Sequence, residues 1–247
     1  MYKIHYINLI KKMSQQLKKR VTRDSLGQLY GFLHEVLKFV SIYDALQLRR
    51  VSKPFHYLTK KQIWDDNTFS VFFDEYDSVL FRQSFPFVTR ISSVQFSEDC
   101  TDIDFLALRG IINIKEIVLS DCNLITSGAL SNIFSNIHNI SELYLDSCEV
   151  TNDVLKHLQG KRLSFLNLQS CKKITDIGVQ YLIGIDKLYM DGCTNLGFTG
   201  ATLHYLHGIC ELYLSGCMQL VFTPEIVEML SSVKKLEHPI DGYRELL

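Results

Sequence analysis

From residue 90 onward the chain repeats one short phrase: an apolar residue, a variable one, an apolar one, two variable ones, then cysteine. It reads Ile117-Val-Leu-Ser-Asp-Cys122, Leu143-Tyr-Leu-Asp-Ser-Cys148, Leu166-Asn-Leu-Gln-Ser-Cys171, Leu188-Tyr-Met-Asp-Gly-Cys193 and Leu212-Tyr-Leu-Ser-Gly-Cys217. Apolar residues two apart share one face of a strand, so each phrase predicts a short strand with one buried face, followed by an inward turn. What comes next has the helical period. In Cys171-Lys-Lys-Ile-Thr-Asp-Ile-Gly-Val-Gln-Tyr-Leu182, Thr175 suits an N-cap and Asp176 the first turn, while Ile177 and Tyr181 fall on one helical face. Thr126, Thr151 and Thr223 stand at comparable places, the last followed by Pro224, which a first turn tolerates. Each unit therefore reads strand, turn, helix. No such unit buries its apolar face alone, so about five or six of them are predicted to stack.

Six of the seven cysteines, Cys100, Cys122, Cys148, Cys171, Cys193 and Cys217, recur at intervals of 22, 26, 23, 22 and 24 residues. Phrase and period together resemble the leucine-rich repeat in its cysteine-containing variety. The resemblance implies an α/β solenoid, a horseshoe with parallel strands inside and helices outside. It also gives Cys122, Cys148, Cys171, Cys193 and Cys217 a structural role. They fill a slot that the commoner form gives to Asn, where a buried thiol supplies a weaker version of the same hydrogen bond. Cys100 falls one residue late relative to Val94-Gln-Phe96, which gives its slot to Asp99, and the 26-residue step to Cys148 predicts a longer return segment.

Chemical uses of these thiols fit poorly. An odd cysteine count spaced by whole repeats, with no visible secretory signal, points to a reducing compartment rather than a disulfide framework. There is no Cys-x-x-Cys pair. His204, His207 and Cys210 are spaced by three, but the last two flank a helix-to-strand junction, so neither a metal site nor any cofactor is predicted.

Composition adds limits. The hydrophobic fraction is 47% and the formal net charge −1, and no apolar run approaches the ~18 residues of a membrane span. Neither nucleic acid nor membrane is predicted as a partner. Residues 1–24 form a basic leader, flexible or helical, with Lys3, Lys11, Lys12, Lys18, Lys19, Arg20 and Arg23 and no acid before residue 24. Ile4, Ile7, Ile10, Met13, Leu17 and Val21 would make an apolar stripe there, the pattern of a mitochondrial transit segment, although lysines outnumber arginines and serine is scarce.

Residues 25–68 have a different period and read as three short helices. The first ends near Val40, Ser41 and Asp44 form a capping box for the second, and Ser52 and Pro54 open a third that reaches Trp64, the single tryptophan. Ser41-Ile-Tyr-Asp-Ala-Leu46, Leu48-Arg-Arg-Val-Ser-Lys-Pro-Phe55 and Ile63-Trp64 make this segment resemble an F-box. A helical cap over the first repeat is the plainer alternative. The F-box family's opening Leu-Pro and acid are absent from about Gln28 to Leu33. The resemblance implies docking on a Skp-type adaptor and, through it, a cullin. Phe32, Val36, Leu37, Val40, Ile42, Leu46, Val51, Phe55 and Trp64 would be shared between the module's own core and the adaptor. Residues 69–89 read as linker and first-repeat cap, and 90–247 as repeats with a C-terminal cap.

Aligning the strands puts their variable residues in columns on the concave face. Val118, Tyr144, Asn167, Tyr189 and Tyr213 form one; Glu116, Glu142, Phe165, Lys187 and Glu211 flank it, as do Ser120, Asp146, Gln169, Asp191 and Ser215. Glu142, Tyr144, Asp146, Asn167, Tyr189, Asp191 and Tyr213 are the candidate substrate-binding residues, since tyrosines favour interface hot spots and the acids favour a partly basic protein partner. No phosphate-cradling glycine loop, Gly-x-Ser-x-Gly elbow or His-Glu-x-x-His occurs. No catalytic residues are therefore assigned. The family resemblance implies a non-catalytic adaptor that recruits a target to a ubiquitin ligase, cytoplasmic or nuclear. An interaction scaffold and a mitochondrial assembly or coupling factor are the rival classes.

Overall fold

The computed structural model describes residues 70–73, 81 and 90–237. The basic leader and the three-helix segment, with Phe32, Val36, Leu37, Val40, Ile42, Leu46, Val51, Phe55 and Trp64, lie outside the described residues.

Eight strands form one parallel sheet in sequence order: β1 (Ser70–Phe73), β2 (Arg90–Phe96), β3 (Asn113–Val118), β4 (Glu142–Tyr144), β5 (Phe165–Asn167), β6 (Lys187–Tyr189), β7 (Glu211–Tyr213) and β8 (Lys235–Glu237). The return segments carry α1 (Asp102–Phe105), α2 (Ser127–Asn136), α3 (Asn152–Lys156), α4 (Asp176–Val179) and α5 (Pro224–Ser231), with 3₁₀ turns at Leu106–Leu108 and Leu203–Leu206. The fold is thus α/β, built of stacked strand-turn-helix units as the periodicity implies. Its sheet begins with β1, inside the stretch read as linker and first-repeat cap, where Phe73 pairs with Phe96.

Register follows the repeated phrase. Ile117, Leu143, Leu166, Leu188 and Leu212 are cross-strand partners in turn, and all are fully buried. At the sheet's first end phenylalanines replace leucines. Phe73 meets Phe81 and Phe96 at ring separations of 5.1 Å, Phe96 meets Phe105 at 5.5 Å and Phe105 meets Phe134 at 6.3 Å.

The turn before each cysteine uses a left-handed residue: Asp121, Ser147, Ser170, Gly192 and Gly216 have φ between 59° and 74°. Asp and Ser are short polar residues, and they occupy here a conformation most side chains avoid. This turn aims the next residue's thiol into the core and back toward the preceding unit. Cys148 donates to the Leu119 carbonyl at 2.8 Å, Cys171 to Leu145 at 3.1 Å, Cys193 to Leu168 at 3.2 Å and Cys217 to Met190 at 3.1 Å. Cys122 reaches the Ser97 carbonyl at 3.3 Å.

Cys100 corrects one expectation. The extra residue is taken up at Ser97, before the turn, so that Cys100 and not Asp99 fills the slot; its thiol reaches the Phe73 carbonyl at 3.6 Å while Asp99 is exposed. All seven cysteines are free thiols. Burial pushes the pKa values of five of them up, to about 12 for Cys122 and Cys193 and about 11 for Cys217, with those of Cys148 and Cys171 raised as well. The S–H is therefore retained as a donor at neutral pH.

The helices are shorter than the pattern suggests. Thr126, Thr151, Thr175 and Thr223 are N-cap residues, but α4 ends at Val179, before Tyr181, and Ile177 is 59% exposed. Gly178, Val179 and Leu182 face the core instead. Gly178 permits a close approach: a Cβ there would stand 2.5 Å from Oδ1 of Asn152. The extra length of the 26-residue step is spent in α2, the longest helix described, at 10 residues.

A second ladder joins the helix starts. Asp102 accepts from the Thr126 N–H and hydroxyl at 2.7 and 2.8 Å. Asn152 accepts from the Thr175 N–H at 3.0 Å and donates its amide to the Thr175 hydroxyl at 2.8 Å. Asp176 collects the N–H groups of Thr199 and Gly200, each at 3.1 Å, with the Thr199 hydroxyl at 2.5 Å. Replacing Asp176 with Ala should therefore cost about 2–4 kcal/mol, because partly buried donors lose their acceptor. Asp176→Asn, matching the Asn152 arrangement, should cost less than half of that. Urea unfolding of the two variants checks it, and equal losses would mean the carboxylate's acceptors are not the cause.

Candidate binding face

On the side of the sheet away from the leucine core, the variable residues stand in the anticipated columns. Glu116, Glu142, Phe165, Lys187, Glu211 and Lys235 are consecutive cross-strand partners, as are Val118, Tyr144, Asn167, Tyr189, Tyr213 and Glu237. Parallel strands lie about 4.8 Å apart, so rings in one column touch only when no short residue intervenes. Asn167 is such a residue. It turns to its polar neighbours, donating its amide to Asp146 at 3.0 Å and accepting the Gln169 N–H at 3.0 Å.

Phe165, from the adjacent column, closes that gap. Its ring lies 4.7 Å from Tyr144 and 5.0 Å from Tyr189, and Tyr189 lies 4.0 Å from Tyr213. The result is one unbroken aromatic row across β4 to β7. Phe165 had been placed as a flanking residue by the sequence, and its part in the row depends on a side-chain direction that strand alternation does not specify.

The row is not uniformly accessible. Tyr144 and Tyr189 are half-buried, but Tyr213 is only 6% exposed, which corrects its reading as an exposed hot spot. Tyr189 covers it from one side, and the Lys235 ammonium sits 5.0 Å from its ring centroid on the other. The Tyr213 hydroxyl perturbs Tyr189, Glu211 and Lys235, yet it is buried without a hydrogen bond of acceptable geometry. The neighbouring Tyr213 hydroxyl and burial together push Tyr189 up to about 12.

Charge along the face is graded. Lys187 pairs with Glu211 at 2.8 Å, which raises the lysine's pKa and lowers the carboxylate's. At the other end Glu116 and Glu142 are direct cross-strand neighbours. Burial, followed by these two carboxylates, raises the pKa of Tyr144. Asp146 accepts from Ser120 at 2.9 Å, and Asp191 accepts from the Gln169 amide at 2.6 Å and the Ser215 N–H at 2.7 Å. Both aspartates are thereby oriented along the edge of the aromatic row. The face is suited to holding a protein segment by ring contact and by attraction for cations.

His204 and His207 are exposed, and His204 stacks on Tyr205 at 4.2 Å while its Nδ1 contacts the Ala201 carbonyl at 2.9 Å. Among the described residues no group of three His, Cys, Asp or Glu could hold a metal ion. Among the same residues no helix is long and apolar enough to cross a membrane.

No protein-family model matches the chain, and no curated protein matches it either.

Proposed function

We propose that the chain is a non-catalytic substrate adaptor of a cullin-RING ubiquitin ligase of the SCF type. Residues 25–68 act as an F-box docking on a Skp-type adaptor, and a horseshoe of cysteine-containing leucine-rich repeats presents the target. The observation that carries this reading is the phrase Leu48-Arg-Arg-Val-Ser-Lys-Pro-Phe55 with Trp64 downstream, set directly ahead of a stack with a cysteine on almost every rung. The parallel stack supports it by supplying a continuous face, and the aromatic row supports it by supplying contact residues on that face. Hot spots in protein interfaces are rich in tyrosine, and acids around the row favour a partly basic target. The proposed location is cytoplasmic or nuclear.

Pull-down of the full chain and of a chain lacking residues 1–67, probed for the Skp-type adaptor and cullin, tests the proposal. Both should be recovered with the full chain and lost with the deletion. Their absence from both pull-downs would favour a pure interaction scaffold, and an N-terminus shortened on import would favour a mitochondrial factor.

A further inference from the structure

The last described strand puts one of the chain's own cations on the aromatic row. Lys235 opens β8 and is exposed, and its ammonium stands 5.0 Å from the centroid of the Tyr213 ring. At that separation a cation is attracted by the ring's quadrupole. Glu211, its cross-strand partner on β7, supplies a carboxylate beside the same ring, one oxygen of which pairs with Lys187 at 2.8 Å. The Tyr213 hydroxyl is buried within reach of Tyr189, Glu211 and Lys235, yet none of them makes a well-aligned hydrogen bond to it. Buried polar groups are nearly always paired, so this hydroxyl marks a place where a well-aligned partner is wanting. Elsewhere on the face, Glu116, Glu142, Asp146 and Asp191 form no ion pair among the described residues.

We propose that Lys235 is an internal placeholder in a subsite for a guanidinium group, displaced when an arginine of a partner protein enters. An ammonium is a point charge that serves the ring without a well-aligned hydrogen bond to the hydroxyl. A guanidinium is planar and carries five N–H donors in that plane, so one stacked on the Tyr189 ring can direct them at the Glu211 carboxylate and the Tyr213 hydroxyl at once. Displacement is easy at this rung: the three residues of β8 are exposed, half-buried and exposed, and Lys235 forms no ion pair among the described residues. The inference rests on the reading that the tyrosine face holds the partner, and not on the ligase assignment.

Fluorescence anisotropy of the full chain with a labelled Ser-Arg-Ser-Gly repeat peptide, and with its lysine and citrulline counterparts, tests it. Lys235→Ala should tighten the arginine peptide roughly fivefold by vacating the subsite. Lys234→Ala makes the same change in charge one residue away and should alter affinity by less than about twofold. Tyr213→Phe keeps the ring but removes the hydroxyl, and should weaken the arginine peptide without affecting the lysine peptide. Citrulline should not bind. An arginine peptide that binds Lys235→Ala no better than the parent chain, or a citrulline peptide that binds equally well, overturns the proposal. If that happens while Tyr144→Ala with Tyr189→Ala still abolishes partner binding, the face survives and only the placeholder fails.

Discussion

Stability should fall steeply as the pH rises from 9 toward 12, the interval between the ordinary thiol pKa of 9.0 and the value of about 12 reached by Cys122 and Cys193. A folded-state pKa raised above the unfolded one means that the native thiol keeps its proton longer. Its contribution is complete below pH 9 and is lost as the pH climbs through the folded value. The upper bound is about 1.4 kcal/mol per pH unit for each thiol, reduced by solvent screening at the loop edge. Five thiols share this direction, so the summed loss should reach several kcal/mol. Tyr189, also raised to about 12, titrates in the same interval, so a variant must separate the two. Cys193→Ala should cost about 1–3 kcal/mol at neutral pH, since the Leu168 carbonyl loses its donor and a small cavity opens. It should also flatten the alkaline decline by one thiol's share. Urea midpoints measured across the interval for both chains decide it, and an unchanged slope would remove the thiols from the explanation.

Tyr144→Ala combined with Tyr189→Ala should weaken partner binding at least a hundredfold, a loss of about 3 kcal/mol. These two are the half-buried members of the row, and each contacts Phe165, at 4.7 and 5.0 Å. Truncating both leaves Phe165 as an isolated ring and removes the contact area between the acidic edges. Thermal stability should fall only moderately, because neither side chain belongs to the leucine core and the loss is limited to ring contacts with Phe165 and the cover over Tyr213. Tyr213 is the wrong residue for the same experiment. At 6% exposure its truncation opens a void under Tyr189 and Lys235, so Tyr213→Ala would confuse binding with folding. Affinity for a partner recovered with the full chain, measured beside the melting temperature, separates these effects; unchanged affinity in the Tyr144, Tyr189 variant would discard the face.

The strand register was legible because the side-chain period of a strand is two and the cysteine pins its phase, so that Leu143, Leu166 and Leu188 could be aligned without gaps. The columns on the opposite face followed. Four features were not legible, each for its own reason. Cys100 was misplaced because an extra residue before a turn looks, in a pattern, like a displaced thiol. Helix lengths were overdrawn because Ile177 and Tyr181 are apolar at helical spacing, whereas the return path is short enough for one turn to suffice. Of the helix-start ladder only Asp176 was read, as favourable charge in a first turn, yet Asp102, Asn152 and Asp176 reach across to the next unit's Thr or Gly. Sequence spacing does hint at it, since an Asx residue precedes the partner Thr by about one repeat each time. The burial of Tyr213 required Lys235, which belongs to a strand without the repeated phrase.

The backward-pointing thiols have a consequence for how such a chain can change length. From β2 to β7 each rung meets its predecessor through the same pair of groups, a sulfhydryl and a carbonyl at or just past a strand's end. Excising residues 172–193 would bring Cys217 to the Leu168 carbonyl, now served by Cys193, and Thr199 to Asn152, now served by Thr175. The thiol ladder would keep no orphan, and in the helix-start ladder the Gly200 N–H, now accepted by Asp176, would lose its acceptor. Recombination can therefore add or delete a unit without inventing a new junction, and the aromatic row, not the scaffold, would register the loss.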